Sequence, residues 1–307
     1  MFLTMKDVYT YADLANWEAA VADLEQRPVL AVIGDPVAHS KSPQMHNPAL
    51  DAAKIDGCYV RIHLSPDEVG DGLKRMADLG FIGTNVTIPH KAAALAASTS
   101  VGEIPRLMGS VNTLKFESDG MVSGWNTDGP GFVRAVSESL GVDVKDQRVA
   151  ILGAGGGAGR GVSVQCAAEG CPRLVLINRS AEKVEALAEE LGDVHPEGVE
   201  PIETCAWDHQ ALRNLLPNID LVVNATSLGM KDGDPELLPA DALRPEHRVY
   251  DMVYSGGETP LLAAARKVGA KGADGLPMLL HQGAISFEHW FGEGSANLEA
   301  MRAGLEG

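Results

Sequence analysis

A chain of 307 residues, 45% of them hydrophobic, is long enough to form two domains that each bury a core. Its 25 basic residues stand against 42 acidic ones, and the net charge of −17 argues against nucleic acid or an anionic membrane surface as the main partner. The four cysteines, Cys58, Cys166, Cys171 and Cys205, lack CxxC spacing and read as reduced thiols of a cytoplasmic protein. The start of the chain carries Asp7 and Asp13 and no apolar core of signal-peptide length, and no apolar run reaches the roughly 18 residues of a membrane span.

Residues 1 to 27 read as an added helix. Thr10 and Asp13 have capping-box spacing, and Leu14, Trp17, Val21 and Leu24 fall on one helical face. Packing or a subunit contact is its expected role. Val29 to Ile33 is an apolar run of buried-strand type that ends in GDPVAHSKSPQMHN, where Pro43 after Ser42 predicts a helix start with the serine as N-cap. Ser40 and Ser42 either cap and turn locally or present two hydroxyls to a carboxylate at a strand's carboxyl end. His39 and His46 lack a third ligand at metal spacing, and no metal is expected.

Tyr59 to Leu64 predicts a second strand, and Ser65, Pro66 and Glu68 open a helix that runs to about Gly80. A third strand near Ile82 to Ile88 leads into NVTIPHK. Pro89 ends it and puts Lys91 in the first turn of a helix, an end that repels a cation, so the placement calls for a compensating partner. Val111 to Phe116 and Met121 to Trp125 flank a Ser118-Asp119-Gly120 turn and predict a β-hairpin. In GWNTDGPGF, Asp128 opens another helix, as an N-cap or with a chemical role.

Val149 to Leu152 predicts a buried strand that runs into GAGGGAGRG. Gly153, Gly155 and Ala158 fit the G-x-G-x-x-G/A pattern of a dinucleotide-binding βαβ unit: the first residue permits the turn, the second the approach of a pyrophosphate, the third close packing of helix on strand. Leu174 to Ile177, Asp220 to Val223, Val249 to Val253 and a short run at Ala270 to Ala273 predict further strands. Helices are expected at Pro260 to Val268 and from DGLPMLLHQGA to about Phe291. Strands alternating with helices in both halves imply parallel sheets and an α/β architecture. Asn85, Asn178 and Asn224 head N-x-S/T triplets, but each sits within one of the motifs described here and none reads as a glycosylation site.

These blocks, in this order, resemble the shikimate dehydrogenase family from about Pro28 to the C-terminus: GDPVAHSKSPQMHN, NVTIPHK, GSVNTL, GWNTDGPGF, GAGGGAG, NRS, NATSLGM, DMVY and GLPMLLHQGA. The resemblance implies reversible reduction of the ring ketone of 3-dehydroshikimate to shikimate with NADP as cofactor, in aromatic amino-acid biosynthesis. It implies an N-terminal substrate-binding domain over 28–126 completed by C-terminal helices 278–307, a Rossmann NADP-binding domain over 127–277, and an active site in the cleft between them. A homodimer is a further expectation. By the same resemblance Lys91 and Asp128 form the catalytic pair. Ser40, Ser42, Thr87 and Tyr254 hold the substrate carboxylate, and Asn112 and Gln282 bind ring hydroxyls.

For the cofactor, the resemblance and the glycine pattern together assign Gly153, Ala154, Gly155, Gly156, Gly157 and Ala158 to the pyrophosphate turn. Asn178, Arg179, Ser180 and Lys183 fall where the 2′-phosphate binds, Asn224, Thr226 and Ser227 near the ribose and Met278 against the nicotinamide, with Met252 and Gly275 as further cofactor-binding residues. Two departures stand out: the extra glycine of GAGGGAGRG, and Ser255-Gly256 after DMVY where proline is common. Quinate/shikimate dehydrogenase is the nearest alternative, though a threonine at the Ser42 position accompanies quinate use in the family. A sensor that only binds shikimate or quinate could dispense with Lys91 and Asp128, and both are present.

Overall fold

The apolar runs separated by helical stretches assemble into two parallel-rich sheets, each in its own unit. The computed structural model describes residues 6–231, 233–239, 241–254 and 257–307; Ser255 and Gly256, which follow DMVY where proline is common, lie outside them. One unit comprises residues 1–127 and 282–307, the other residues 128–281.

In the first unit the elements are β1 (Tyr9–Thr10), α1 (Tyr11–Leu14), α2 (Trp17–Ala20), β2 (Pro28–Gly34), α3 (Ser42–Ala52), β3 (Cys58–His63), α4 (Val69–Asp78), β4 (Gly83–Val86), α5 (Lys91–Ala97), β5 (Ser100–Val101), α6 (Glu103–Met108), β6 (Thr113–Phe116) and β7 (Val122–Trp125). The seven strands pair in the order β1-β3-β2-β4-β6-β7-β5. β1, β3, β2 and β4 are parallel, β6 runs antiparallel to both β4 and β7, and β5 is parallel to β7. The β6–β7 hairpin closes on Gly120 at φ +84°, with Asp119 accepting from the Met121 N–H.

The N-terminal segment is a correction to the sequence reading. It is not one helix but an edge strand followed by two helices of four residues each. Tyr9 and Thr10 pair beside Ile62 and His63 of β3, and the chain breaks at Asn16, the N-cap of α2. The apolar face was nevertheless legible: Tyr9, Leu14 and Trp17 are buried in the same core as Ile33, Ile62 and Phe81. The capping contact holds too, with Asp13 accepting from Thr10 N–H at 2.7 Å and from the Thr10 hydroxyl at 2.8 Å. α4 starts at Val69, later than Ser65, because Ser65 to Glu68 form a turn in which the Glu68 carboxylate accepts the Ser65 N–H at 2.8 Å.

The second unit holds α7 (Asp128–Leu140), β8 (Arg148–Leu152), α8 (Gly157–Glu169), β9 (Arg173–Asn178), α9 (Ala181–Leu191), β10 (Glu203–Ala206), α10 (His209–Leu215), β11 (Leu221–Asn224), β12 (Arg248–Asp251), α11 (Pro260–Val268) and β13 (Lys271–Ala273). All pairs are parallel, in the order β10-β9-β8-β11-β12-β13. Counted from β8 this is the 3-2-1-4-5-6 order of a doubly wound dinucleotide-binding sheet, in which ligands meet the strands' carboxyl ends where the order reverses, between β8 and β11. The core strands carry Val149 to Leu152, Leu174 to Ile177 and Leu221 to Val223, fully buried as strands covered on both faces must be.

α12 (Leu276–Phe291) contributes to both units, with the division falling between His281 and Gln282, and α13 (Leu298–Glu306) completes the first. Trp290 donates its indole N–H to Leu114 O at 2.9 Å, and Gly83 leaves the room for it, since a Cβ there would strike the indole nitrogen. α13 packs along α3, and a Cβ on Gly304 would strike the Gln44 carbonyl, so the helices approach to backbone contact.

His46 on α3 is fully buried and stacks on Tyr59, with centroids 4.5 Å apart and planes 8° apart, beside Trp290 at 5.5 Å. Burial pushes its pKa down from 6.5 to about 3. The unfolded chain takes up the proton near 6.5 while the folded chain does not until about 3. The stability from neutral His46 is therefore complete above pH 6.5 and is lost as pH falls towards 3, at up to about 1.4 kcal/mol per unit. His46→Phe keeps the stacking and removes the titration. Urea midpoints measured down this range should fall less steeply for the variant, and parallel curves would dismiss the role.

Candidate active site

In the first unit the residues of interest gather at the carboxyl ends of β2, β3 and β4. Ser42 is the first residue of α3, one position later than an N-cap; Lys41 holds that place and makes no side-chain cap. The serine hydroxyl is therefore not spent on capping. Ser40 Oγ lies 3.1 Å from Ser42 Oγ and accepts the Ser42 N–H at 3.3 Å, so the two hydroxyls form one site beside the N-terminus of an 11-residue helix. Behind them Arg61 of β3 donates to Ser40 O through Nε at 2.8 Å and Nη2 at 2.6 Å, and through Nη2 to Gln44 Oε1 at 2.9 Å. Thr87 follows β4, with its N–H bonded to Ile33 O at 2.9 Å, and Gly34 makes room for its methyl. Lys91 begins α5, and its carbonyl accepts from Val111 N–H at 3.0 Å.

Asn112 and Gln282, far apart in sequence, are brought together through Thr127. Asn112 Oδ1 accepts from the Thr127 N–H at 2.9 Å, its Nδ2 donates to Thr127 Oγ1 at 3.0 Å, and Thr127 Oγ1 lies 3.4 Å from Gln282 Oε1. The backbone donor fixes which way the Asn112 amide faces. Asn112 and Thr127 are buried.

In the second unit Asp128 is the first residue of α7, where a carboxylate meets the favourable end of the helix dipole. Gly153 turns at φ +83°, with its N–H on Ile177 O at 2.8 Å. A Cβ on Gly155 would crowd Asn178 and Lys183. The third small residue of the motif needs correction: Ala158 is exposed, and the close helix–strand approach is made by Gly159, where a Cβ would strike Gly153 O and Ala154 Cα. The spacing is G-x-G-x-x-x-G. Gly156 is the N-cap of α8, Gly157 has open space where a Cβ would stand, and the first N–H groups of this 13-residue helix have no acceptor within the helix itself. A pyrophosphate fits this cradle.

Asn178 closes a turn by accepting the Ser180 N–H at 3.0 Å, which leaves Arg179, Ser180 and Lys183 exposed around the carboxyl end of β9. Among the described residues no carboxylate pairs with Arg179 or Lys183. After β11, Asn224 is wholly engaged within the protein. Its Oδ1 accepts from Thr226 N–H and hydroxyl at 3.0 and 2.7 Å, and its Nδ2 donates to Leu228 O and Asp251 Oδ1 at 3.2 and 2.8 Å. It shapes the Thr226–Ser227 loop rather than offering an amide outward. Asp251, buried, also accepts from Val253 N–H and from the Thr259 hydroxyl that caps α11. Burial raises its carboxyl above the usual carboxylate range, and the bonds from Thr259, Val253 and Asn224 oppose that rise. Gly275 lies against the Met252 backbone so closely that a Cβ would overlap it; Met278 is buried nearby on α12, and Tyr254 is 41% exposed after β12.

Three family models match in succession. They are the shikimate dehydrogenase substrate binding domain over residues 32–114, shikimate / quinate 5-dehydrogenase over 135–230 and the shikimate 5′-dehydrogenase C-terminal domain over 275–306. The shikimate dehydrogenase (NADP(+)) of Rhodospirillum rubrum is 43% identical over 284 residues, 91% of this chain and 97% of the relative. The chain belongs to the shikimate dehydrogenase family. A shikimate dehydrogenase solved in complex with NADP+ superposes with a TM-score of 0.81 at 37% identity, covering 91% of this chain and 95% of that one. The quinate dehydrogenase of Corynebacterium glutamicum, solved with NAD, gives 0.80 at 29% identity over 92% and 99%.

Local sequence patterns give no role to Arg61, Thr127, Asp251 and Ser286, whose bonds to Ser40, Asn112, Asn224 and Asn85 join positions 15 or more residues apart. Gly159 does carry a local signal, as a further glycine in the turn. Among the described residues no helix is long and apolar enough to cross a membrane, and no group of three or more His, Cys, Asp or Glu could hold a metal ion.

Proposed function

We propose that this member of the family reversibly reduces the ring ketone of 3-dehydroshikimate to shikimate with NADP, residing in the cytoplasm. The observation that carries the reading is that one uninterrupted likeness to NADP-dependent relatives runs through both units, so that hydroxyl pair, lysine and glycine cradle occur together. NADPH, when bound, supplies the hydride to the carbonyl carbon. The chain's own residues do the rest. Ser40 and Ser42, with Thr87 and Tyr254, hold the carboxylate. Asn112 and Gln282 accept or donate to ring hydroxyls and so set which face of the ring is presented. Lys91 and Asp128 deliver a proton to the carbonyl oxygen as negative charge develops there, and take it back from the hydroxyl in the reverse direction.

The preference for NADP follows from Arg179 and Lys183, which stand where NAD-specific sheets place a carboxylate for the ribose 2′-hydroxyl. A guanidinium meets a 2′-phosphate with paired charge-assisted bonds. The test is kcat/KM with both cofactors and with shikimate and quinate. NADP is expected to exceed NAD by about 10–100-fold in the parent, and Arg179→Asp should abolish or invert the ratio. Equal use of both cofactors, or no effect of the substitution, sinks the assignment. Quinate turned over as well as shikimate would favour the quinate/shikimate reading, which the resemblance to a solved quinate dehydrogenase keeps in view.

A further inference from the structure

Ser286 lies one turn beyond Gln282 on α12 and is fully buried. Its Oγ has four polar neighbours: Asn85 Nδ2 at 3.0 Å, Thr113 Oγ1 at 2.8 Å, Thr127 Oγ1 at 3.2 Å and Gln282 O at 2.9 Å. A serine hydroxyl has one proton and two lone pairs. Asn85 Nδ2 can only donate and the Gln282 carbonyl can only accept, so with both bonds made these two settle the proton and one lone pair. The second lone pair takes a proton from Thr113 or from Thr127.

That choice reaches the amides. The Thr113 proton has an alternative acceptor in Asn112 Oδ1 at 3.0 Å, and the Thr127 proton has Asn112 Oδ1 at 3.2 Å and Gln282 Oε1 at 3.4 Å. The same Asn85 accepts the Tyr59 hydroxyl at 2.8 Å, and Tyr59 also interacts with Ser42. One buried hydroxyl thus ties β4, β6 and Thr127, after β7, to the turn of helix that carries Gln282. In a buried network the loss of one member leaves the others unpaired at high cost, so such a hub holds its partners to one arrangement.

The geometry points to Ser286 as a positioning residue for the substrate ring, fixing the orientation of the Gln282 amide through Thr127. This rests on the reading that Gln282 binds a ring hydroxyl. Ser286 acts through Thr127 and Gln282, so its removal should separate KM for shikimate from KM for NADP, which a purely structural hydroxyl would not do.

The experiment is a double-mutant cycle of Ser286→Ala with Gln282→Ala in the full-length enzyme, with thermal midpoints recorded for every variant. Ser286→Ala is expected to raise KM for shikimate about tenfold while KM for NADP stays within about twofold. In the Gln282→Ala background the same change should cost no more than about twofold, because the amide it orients is gone. Ser286→Cys, which keeps the shape and weakens the bonds, is the second variant, and the same split is expected of it should the alanine variant fold poorly. A parental KM for shikimate in Ser286→Ala and Ser286→Cys, or an equal cost in both backgrounds, overturns the positioning role alone. A parental KM in Gln282→Ala overturns the underlying assignment of Gln282 as well.

Discussion

Lys91→Ala is expected to lower kcat by about 10²–10⁴, the contribution of a positioned acid–base group, or roughly 3–5 kcal/mol of barrier. Hydride arriving at a ketone leaves charge on the oxygen, and without a donor in place that charge must wait for water. An ammonium is the acid that fits: it carries three donors and can release one, whereas a guanidinium is too weak an acid to do so. The position is costly to the fold, since Lys91 opens α5, where the helix end repels a cation. Asp128 is the other member of the proposed catalytic pair. NADP affinity should stay near parental in Lys91→Ala, because the interaction removed is made with substrate. Asp128→Asn should also lower kcat, and the double variant should lose less than the product of the single losses, as for groups that act as a unit. A Lys91→Ala enzyme with near-parental kcat would remove the lysine from the mechanism. Multiplicative losses would leave both residues in it but uncouple them.

The ease with which the fold could be read varies with how local its causes are. α11 occupies Pro260–Val268 as its pattern predicts, because proline at the start, Gly269 at φ +84° after the end and basic residues in the last turn are all signals within the helix itself. β8, β9 and β11 are apolar runs buried on both faces and stood out for that reason. β10 did not: Glu203, Thr204, Cys205 and Ala206 form an edge strand, none of them buried, and the pairing with β9 rather than the residues makes it a strand. β1 escaped notice for the same cause, since Tyr9 and Thr10 become a strand only beside β3. The site shows the same divide. Motif residues at strand ends could be placed from sequence, but Asn85 meets Ser286 across 201 positions and Asn224 meets Asp251 across 27. A hydrogen-bond partner at such separations leaves no mark on local periodicity. The shift from Ala158 to Gly159 is a different matter: two small residues stood side by side, and only the path of α8 decides which of them faces Gly153.

Ser40→Ala and Ser42→Ala should each raise KM for shikimate, and together they should bring the largest loss of substrate binding in the molecule. A hydrogen bond to a charged group is worth roughly 1.5–3 kcal/mol, so each single change should cost about 10–150-fold in kcat/KM. The structure gives the reason these hydroxyls suit a carboxylate. They lie 3.1 Å apart, Ser42 heads a helix whose first N–H groups and dipole favour an anion, and the Arg61 guanidinium holds the Ser40 carbonyl from behind. Arg61 thus braces the backbone that carries Ser40. Because Ser42 is buried while Ser40 is partly exposed, a loss of stability in Ser42→Ala must be told apart from a loss of binding. KM for NADP supplies one control, since it should remain parental in both variants. An analogue in which the carboxylate is replaced by a neutral alcohol supplies the other: the parent should bind it as poorly as the double variant binds shikimate, and the serine substitutions should then cost nothing further. Added chelator should leave all these values unchanged, as hydroxyls and helix N–H groups need no metal to hold an anion. Parental KM values for shikimate in both alanine variants would mean that the carboxylate is held elsewhere.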